Sequence, residues 1–504
     1  MATMDRRAFV RRGAGLGGTL AALGPLSAYY ARTAAGATAA SPGYGPLVLK
    51  GDLWLPPGFW YQRISQQGTP MSDGNPTPGI FDGMAAFPGG WRGDILIRNH
   101  ENRERAGELH VLVPPDDAYD YPSTVGGNTK LVVDRRRVGW HEREEGIRTP
   151  RYEYTVTRDF AILGGTSTNC AGGPAFRRYW ITCEEVVKGP TGGSDGMTAA
   201  KTHGYMFFID AYADGPVRAV PVLRAGRFAH EAAVELDGIV YQTEDWSLEA
   251  DPLSPDPKKQ SGSVLYRYVV GGGRRDDDDD SGGRGLPERL LAGRLQALKI
   301  KGEWHANMDV GRAVGSSYRV EWVDVPVPDH RDDTNRNLTR TSVESTPTRI
   351  QAQDRGAAYF DRQEGMWVDD DKGTVYFDCT TGGAQNLGQV WEYDPRRERL
   401  TLVYESESAA QLENPDNVVI VPQTGHIFLQ EDSDGEQFVR GLTRKGEIYD
   451  FAKTAANDTE FCGGCFSPDG RTFFVSQQGE RVSGTPTEDS RALTYAIWGP
   501  FDRT

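Results

Sequence analysis

Six times along the chain a turn leads into a short apolar strand, and nearly every such strand ends in acids or in soft metal-type ligands. The series includes Gly93-Asp94-Ile95-Leu96-Ile97-Arg98-Asn99-His100-Glu101, Tyr179-Trp180-Ile181-Thr182-Cys183-Glu184-Glu185 and Gly238-Ile239-Val240-Tyr241-Gln242-Thr243-Glu244-Asp245. It continues with Gly373 to Cys379, His426 to Asp432 and Arg471 to Gln477. A carboxylate at a strand end is costly to bury unless something positive meets it. Repetition of that arrangement points to many carboxylates aimed at one shared cation site. Cys183 stands two residues from Glu185, and residues i and i+2 of a strand share a face, so thiolate and carboxylate could ligate one cluster. Arg362 stands in the same relation to Glu364, placing a guanidinium beside a carboxylate; the alternative is a plain surface charge.

The elements that must position these groups follow from a second regularity. Each strand-end has a forerunner upstream: Asp82-Gly83, Asn169-Cys170-Ala171-Gly172-Gly173, Arg227-Phe228-Ala229-His230-Glu231, Asp361-Arg362-Gln363-Glu364-Gly365, Glu413-Asn414-Pro415-Asp416-Asn417 and Glu460-Phe461-Cys462-Gly463-Gly464. Two aligned positions in each of six repeats predict an all-β chain folded as a six-bladed β-propeller with irregular insertions, two β-sandwiches being the alternative. Turn signals such as Ser467-Pro468-Asp469-Gly470 agree. The stretch about 250–350 is the largest insertion. Within it Asp276 to Asp280 reads as a solvated acidic loop or, alternatively, a calcium ligand run. The leucines of Leu286 to Gly302 suggest a helix. Trp54 to Trp60 and Tyr495 to Trp498 are expected to pair the chain ends.

The amino terminus has Arg6-Arg7-Ala8-Phe9-Val10-Arg11-Arg12, a modest apolar run Gly13 to Leu26, and small residues Ala34 to Ala40. That is a twin-arginine export signal over 1–40, with an ordinary secretory signal as the alternative, and 41–504 is then one mature domain. Export implies a periplasmic, cell-surface or extracellular location and the twin-arginine machinery as a partner. No other segment approaches a membrane span. Lys+Arg 56 against Asp+Glu 71 leaves net charge −15, which argues against a nucleic-acid partner and suits either cation binding or an acidic solubilising surface. Five cysteines leave at least one thiol without an intramolecular bridge, and Cys462-Gly463-Gly464-Cys465 is either a local disulfide or two structural thiols. No phosphate loop of the Gly-rich Lys-Ser/Thr type is present, and eight histidines are too few for a histidine-rich zinc centre.

Together these motifs resemble the PhoX-type alkaline phosphatases, exported propeller enzymes with an iron and calcium cluster. The resemblance rests on Asn169 to Gly173 with Thr182 to Glu185, Gly226 to Glu231 with Thr243 to Asp245, Arg362 to Gly365, and Glu413 to Asn417 with Glu431-Asp432. It implies a hydrolase acting on phosphate monoesters. It further implies Cys183 as the iron-binding thiolate and Glu185, Glu231 and Glu364 as cluster ligands. Glu413, Asp416, Glu431 and Asp432 are implied as further metal ligands, and Arg362 as the residue that holds phosphate. The alternatives are a non-catalytic calcium-stabilised propeller that binds a ligand or partner, or a calcium-dependent propeller hydrolase such as a lactonase.

Overall fold

The computed structural model describes residues 42–503 apart from 91–92, 105–107, 251–259, 272–286, 434, 481–486 and 488–489. The export signal and the Asp276 to Asp280 run lie outside the described residues. Almost all regular structure is antiparallel strand, and six units follow one another along the chain. Their first strands are Phe81–Pro88, Asn169–Ala175, His230–Leu236, Gln363–Asp369, Pro415–Ile420 and Phe461–Phe466. Each of these lies against the next, and the last lies against the first, so the six close a ring about one axis. The propeller expected from the sequence is therefore the fold.

The chain ends close the ring as a shared unit. Trp60–Gln66 pairs with Leu493–Trp498, matching Trp60 to Trp498. Trp54 takes no part in that closure, because Leu53–Leu55 pairs instead with the outer strand Ile448–Thr454 of the fifth unit. The third and fourth units are joined at their outer edges, where Ser317–Asp324 pairs with Arg399–Glu405. Among its described residues, the segment expected to be helical holds only the one-turn helix Glu288–Leu291, followed by the strand Gly293–Ile300. Leu295, Gln296, Ala297 and Leu298 of that strand are all buried. Burial on both faces erases the alternation that marks a strand and leaves leucine spacings that imitate a helix.

Apolar clusters fill the space between units, as sheet-on-sheet packing requires. Trp367 touches four of these clusters. With Trp180 and Met366 it also lines the narrow axial cavity, so the channel is plugged by side chains. Backbones approach closely around it. A Cβ on Gly365 would come within 2.7 Å of Asn417 Cα, and one on Gly83 within 2.7 Å of Ala171 Cα. Only glycine allows neighbouring first strands to converge this far.

Candidate metal centre

A repeated backbone device aims side chains at one end of the axis. In every unit the residue just past the second strand donates its N–H to a carbonyl just before the first strand. The pairs are Glu101 to Ile80, Glu185 to Thr168, Asp245 to Ala229, Thr380 to Arg362, Asp432 to Asn414 and Gln478 to Glu460, at 2.9 to 3.1 Å. Four of the accepting residues, Ile80, Thr168, Arg362 and Asn414, are left-handed with φ between +47° and +51°. Non-glycine residues rarely hold that conformation unless the surroundings enforce it. Two residues further on the strand is bulged. Asp82-Gly83 opposes Asn99 alone, Cys170-Ala171 opposes Cys183, Glu231-Ala232 opposes Thr243, and Glu364-Gly365 opposes Asp378. A single extra residue, Asp416, interrupts the fifth strand in the same place. Bulges redirect side chains, and here five of them converge.

The result is three overlapping groups of metal-type ligands, each within 4.8 Å: Asp82, Glu101 and Cys170; Cys170, Glu185 and Glu231; Glu231, Glu364 and Asp416. Every member is buried. Cys170 links the first two groups and Glu231 the last two. In the sixth unit the bulge falls one residue later, between Cys462 and Cys465, and Cys462 instead donates its thiol to the Phe81 carbonyl at 2.9 Å. All five cysteines are free, so no local disulfide joins Cys462 to Cys465.

Among the expected residues, Glu185, Glu231, Glu364 and Asp416 are brought together. Cys183 is not. It pairs with Met206 and packs in an apolar cluster with Ile181, Phe208 and Val222. The shared-face argument fails because the strand stops at Glu184, and the Glu185 N–H turns aside to Thr168. The thiol among the carboxylates is Cys170, across the bulge from Cys183. Glu431 also stands apart: its carboxylate accepts from Arg440 Nε at 2.9 Å and from the Glu413 N–H at 2.9 Å. Glu413 is outside the three groups. Asp432 is half-buried and hydrogen-bonds Glu460, whose charge reaches Asp416 and Asp82. Asp82, Glu101, Cys170 and Glu460 were all visible as aligned forerunners or strand-ends, but no residue-type rule separated them from the others.

The electrostatics describe a site built for cations. Burial pushes Asp82 well up, with Glu101 and Asp416 adding to it. Burial does the same to Glu231, reinforced by Glu185, Asp416 and Asp82. The Cys170 thiol is raised by burial and by Asp82, Glu231, Glu185 and Glu101. Among the described residues, neither oxygen of Glu231 finds a hydrogen-bond partner of ordinary geometry. Two guanidiniums stand at the rim. Arg103 bridges Glu101 and Glu185, the latter at 2.7 Å. Arg362 grips Asp245 through Nε at 2.8 Å and Nη2 at 3.0 Å, and reaches Glu364 at 2.5 Å. Two cations cannot neutralise six carboxylates and a thiol. Buried anions in such excess, with orphaned oxygens among them, are what metal ions satisfy.

Comparison with known proteins agrees. The family model for alkaline phosphatase PhoX matches residues 42–479. This chain belongs to the PhoX alkaline phosphatase family. Members of that family are metal-dependent phosphatases, and the acidic groups at the end of the axis fit such a role. Among solved structures, Pseudomonas fluorescens PhoX in complex with vanadate, a transition state analogue, superposes with a TM-score of 0.62. That match has 18% identity and covers 90% of this chain and 97% of the other, which shows a shared PhoX fold. A protein of unknown function from Desulfotomaculum acetoxidans and the WD40 domain of Toxoplasma gondii coronin match at TM-scores of 0.31. Their identities are 10% and 8%; the first match covers 83% of this chain and 89% of the other, and the second 89% of each. No curated protein sequence matches the chain.

Proposed function

We infer that this PhoX-family protein hydrolyses phosphate monoesters at a cluster of iron and calcium held by the three overlapping groups. The observation that carries the reading is Cys170 placed among Asp82, Glu101, Glu185 and Glu231. A thiolate suits iron, while calcium takes six to eight oxygen ligands, so a mixed donor set supports a mixed cluster. Cys170 replaces Cys183 as the proposed thiolate ligand. Glu185, Glu231, Glu364 and Asp416 supply carboxylates to it together with Asp82 and Glu101. Asp432 and Glu460 extend the acidic surface toward the mouth.

When bound, such metals act as Lewis acids on phosphate oxygens and make an oxygen nucleophile available near neutral pH. The protein's own part is positioning. Arg362, its side chain 22% exposed, is the residue proposed to hold phosphate; its Nε and Nη2 bond Asp245 and Glu364, so a phosphate oxygen would share or displace those carboxylates. Its backbone is fixed by the hydrogen bond from Thr380 N to its carbonyl at 2.9 Å. The bulged strands hold the carboxylates rigidly, because each is braced by close backbone contact with its neighbour.

We extend the same reading to cellular placement: residues 1–40 direct export by the twin-arginine route, and 41–504 work outside the cytoplasm as one domain. Among the described residues no helix is long and apolar enough to cross a membrane. The test is elemental analysis of the exported protein together with phosphate release from a monoester before and after chelation. Iron, calcium and chelator-sensitive release are expected. Calcium without iron, and no release, would favour a non-catalytic calcium propeller.

A further inference from the structure

Near the end of the largest insertion stands the short helix Thr348–Gln353, all of whose residues are buried. Gln351 anchors it, accepting from the Val327 N–H at 3.0 Å and donating to the carbonyls of Val327 at 2.9 Å and Thr346 at 2.7 Å. From this helix Arg349, wholly buried, reaches the segment just past the second strand of the third unit. Its Nη2 donates to Glu249 Oε1 at 2.9 Å, and its guanidinium carbon lies 3.9 Å from the centre of the Trp246 ring. Trp246 Nε1 donates to the same Glu249 oxygen at 3.2 Å, so guanidinium, carboxylate and indole lock one another.

That lock bears on Arg362. The Trp246 carbonyl accepts the Arg362 N–H at 3.2 Å, and the Leu248 N–H donates to Asp361 Oδ1 at 2.9 Å. The residue before Trp246 is Asp245, whose carboxylate takes both Nε and Nη2 of Arg362. Main chain and side chain of Arg362 are therefore both held by Asp245-Trp246. Resting on the phosphatase reading, we propose that Arg349 is a positioning residue, which locks Trp246 and through Asp245 sets the angle at which Arg362 meets the substrate's phosphate. Arg349 itself touches no substrate. The insertion thereby takes part in the reaction from behind the residue that holds phosphate. Misplacing such a group by about 1 Å can cost about a hundredfold, so a lock one residue removed is enough to matter.

The experiment is calorimetric titration of inorganic phosphate into the metal-loaded wild type, Arg349→Met and Glu249→Ala, and into Arg362→Ala alone and combined with each. Metal content and thermal midpoint are measured on every sample. Glu249 is 28% exposed, so Glu249→Ala probes the same lock should Arg349→Met fail to fold. The expected result is unchanged metal content, with phosphate bound about tenfold more weakly in both single variants. Combined with Arg362→Ala, neither change should cost further affinity, because a residue acting through Arg362 then has nothing left to position. A merely structural role would lower the thermal midpoint and leave phosphate affinity alone, and that result would overturn the inference. Loss of metal, or the same loss of affinity repeated on top of Arg362→Ala, would overturn it too. Full phosphate affinity in Arg362→Ala would overturn both this inference and the role given to Arg362, leaving the metal-centred phosphatase standing. A wild type that holds its metals and binds no phosphate would overturn the phosphatase reading itself.

Discussion

The Cys170 thiol donates to Asp82 Oδ2 at 3.4 Å, across the junction between the first and second units. That contact ties two bulges together and sets the thiol among the carboxylates proposed to hold metal. Cys170→Ala should abolish iron binding and monoester hydrolysis. Cys183→Ala should instead cost roughly 1 kcal/mol of stability, as trimming a small buried side chain does, while iron stays bound. Elemental analysis of both variants checks this; iron lost from the Cys183 variant alone would reverse the assignment.

The six forerunners were legible as aligned positions, Asp82, Cys170, Glu231, Glu364, Asp416 and Cys462 holding the same place in each repeat, but the bulges that turn their side chains were not. What the sequence could not convey was handedness of approach. Cys170 and Cys183 are opposite sides of one bulge, and only the extra residue decides which faces the axis. The delayed bulge that turns Cys462 toward Phe81 is equally silent, since Gly463-Gly464 looks like the glycines of the other repeats. Glu431 and Asp432 read alike as acids, yet the buried Arg440 that claims Glu431 is nine residues away on the next strand. The all-β class was plain, whereas Gly293–Ile300 was misread because both its faces are covered.

Glu431 and Arg440 are both buried and should behave as a structural pair. Arg440→Met leaves the buried Glu431 carboxylate without its counter-charge and should cost about 3–5 kcal/mol. Adding Glu431→Gln should recover part of that, and neither change should alter metal content. Denaturant unfolding with elemental analysis measures both; metal lost on Glu431→Gln would return Glu431 to the ligand set.

Gly365→Ala tests the close approach at the axis. The new methyl would meet Asn417 Cα and the Asp416 carbonyl at 2.7 Å, both backbone, so the strands bearing Glu364 and Asp416 must separate. Overpacking of this kind costs about 1–3 kcal/mol. Hydrolysis should fall further than stability, because two ligands move apart. A thermal midpoint and a rate, measured on the same sample, decide it.

The pH dependence of the chelated protein has a definite sign. Burial lifts Glu244 to about 7 against Arg349 and Tyr266, and lifts Glu431 to about 7 against Arg440. Asp82 and Glu231 are raised as well. Groups raised on folding add stability that is present in full below their unfolded values and lost as pH rises through the folded ones. The chelated protein should therefore lose stability from about pH 4.5 upward through 7, and added metal should restore more at pH 8 than at pH 5. Thermal midpoints with and without metal at the two pH values test this; a constant gap would contradict it.

Glu231 joins two of the three candidate ligand groups, and among the described residues neither of its oxygens finds a hydrogen-bond partner of ordinary geometry. The most direct test of the account is the metal content and monoester hydrolysis of folded Glu231→Gln beside the wild type. The account predicts loss of most bound metal and a rate at least about a hundredfold lower, as removing a central charged ligand does. A folded variant that keeps its metals and its rate would contradict the metal-centred phosphatase.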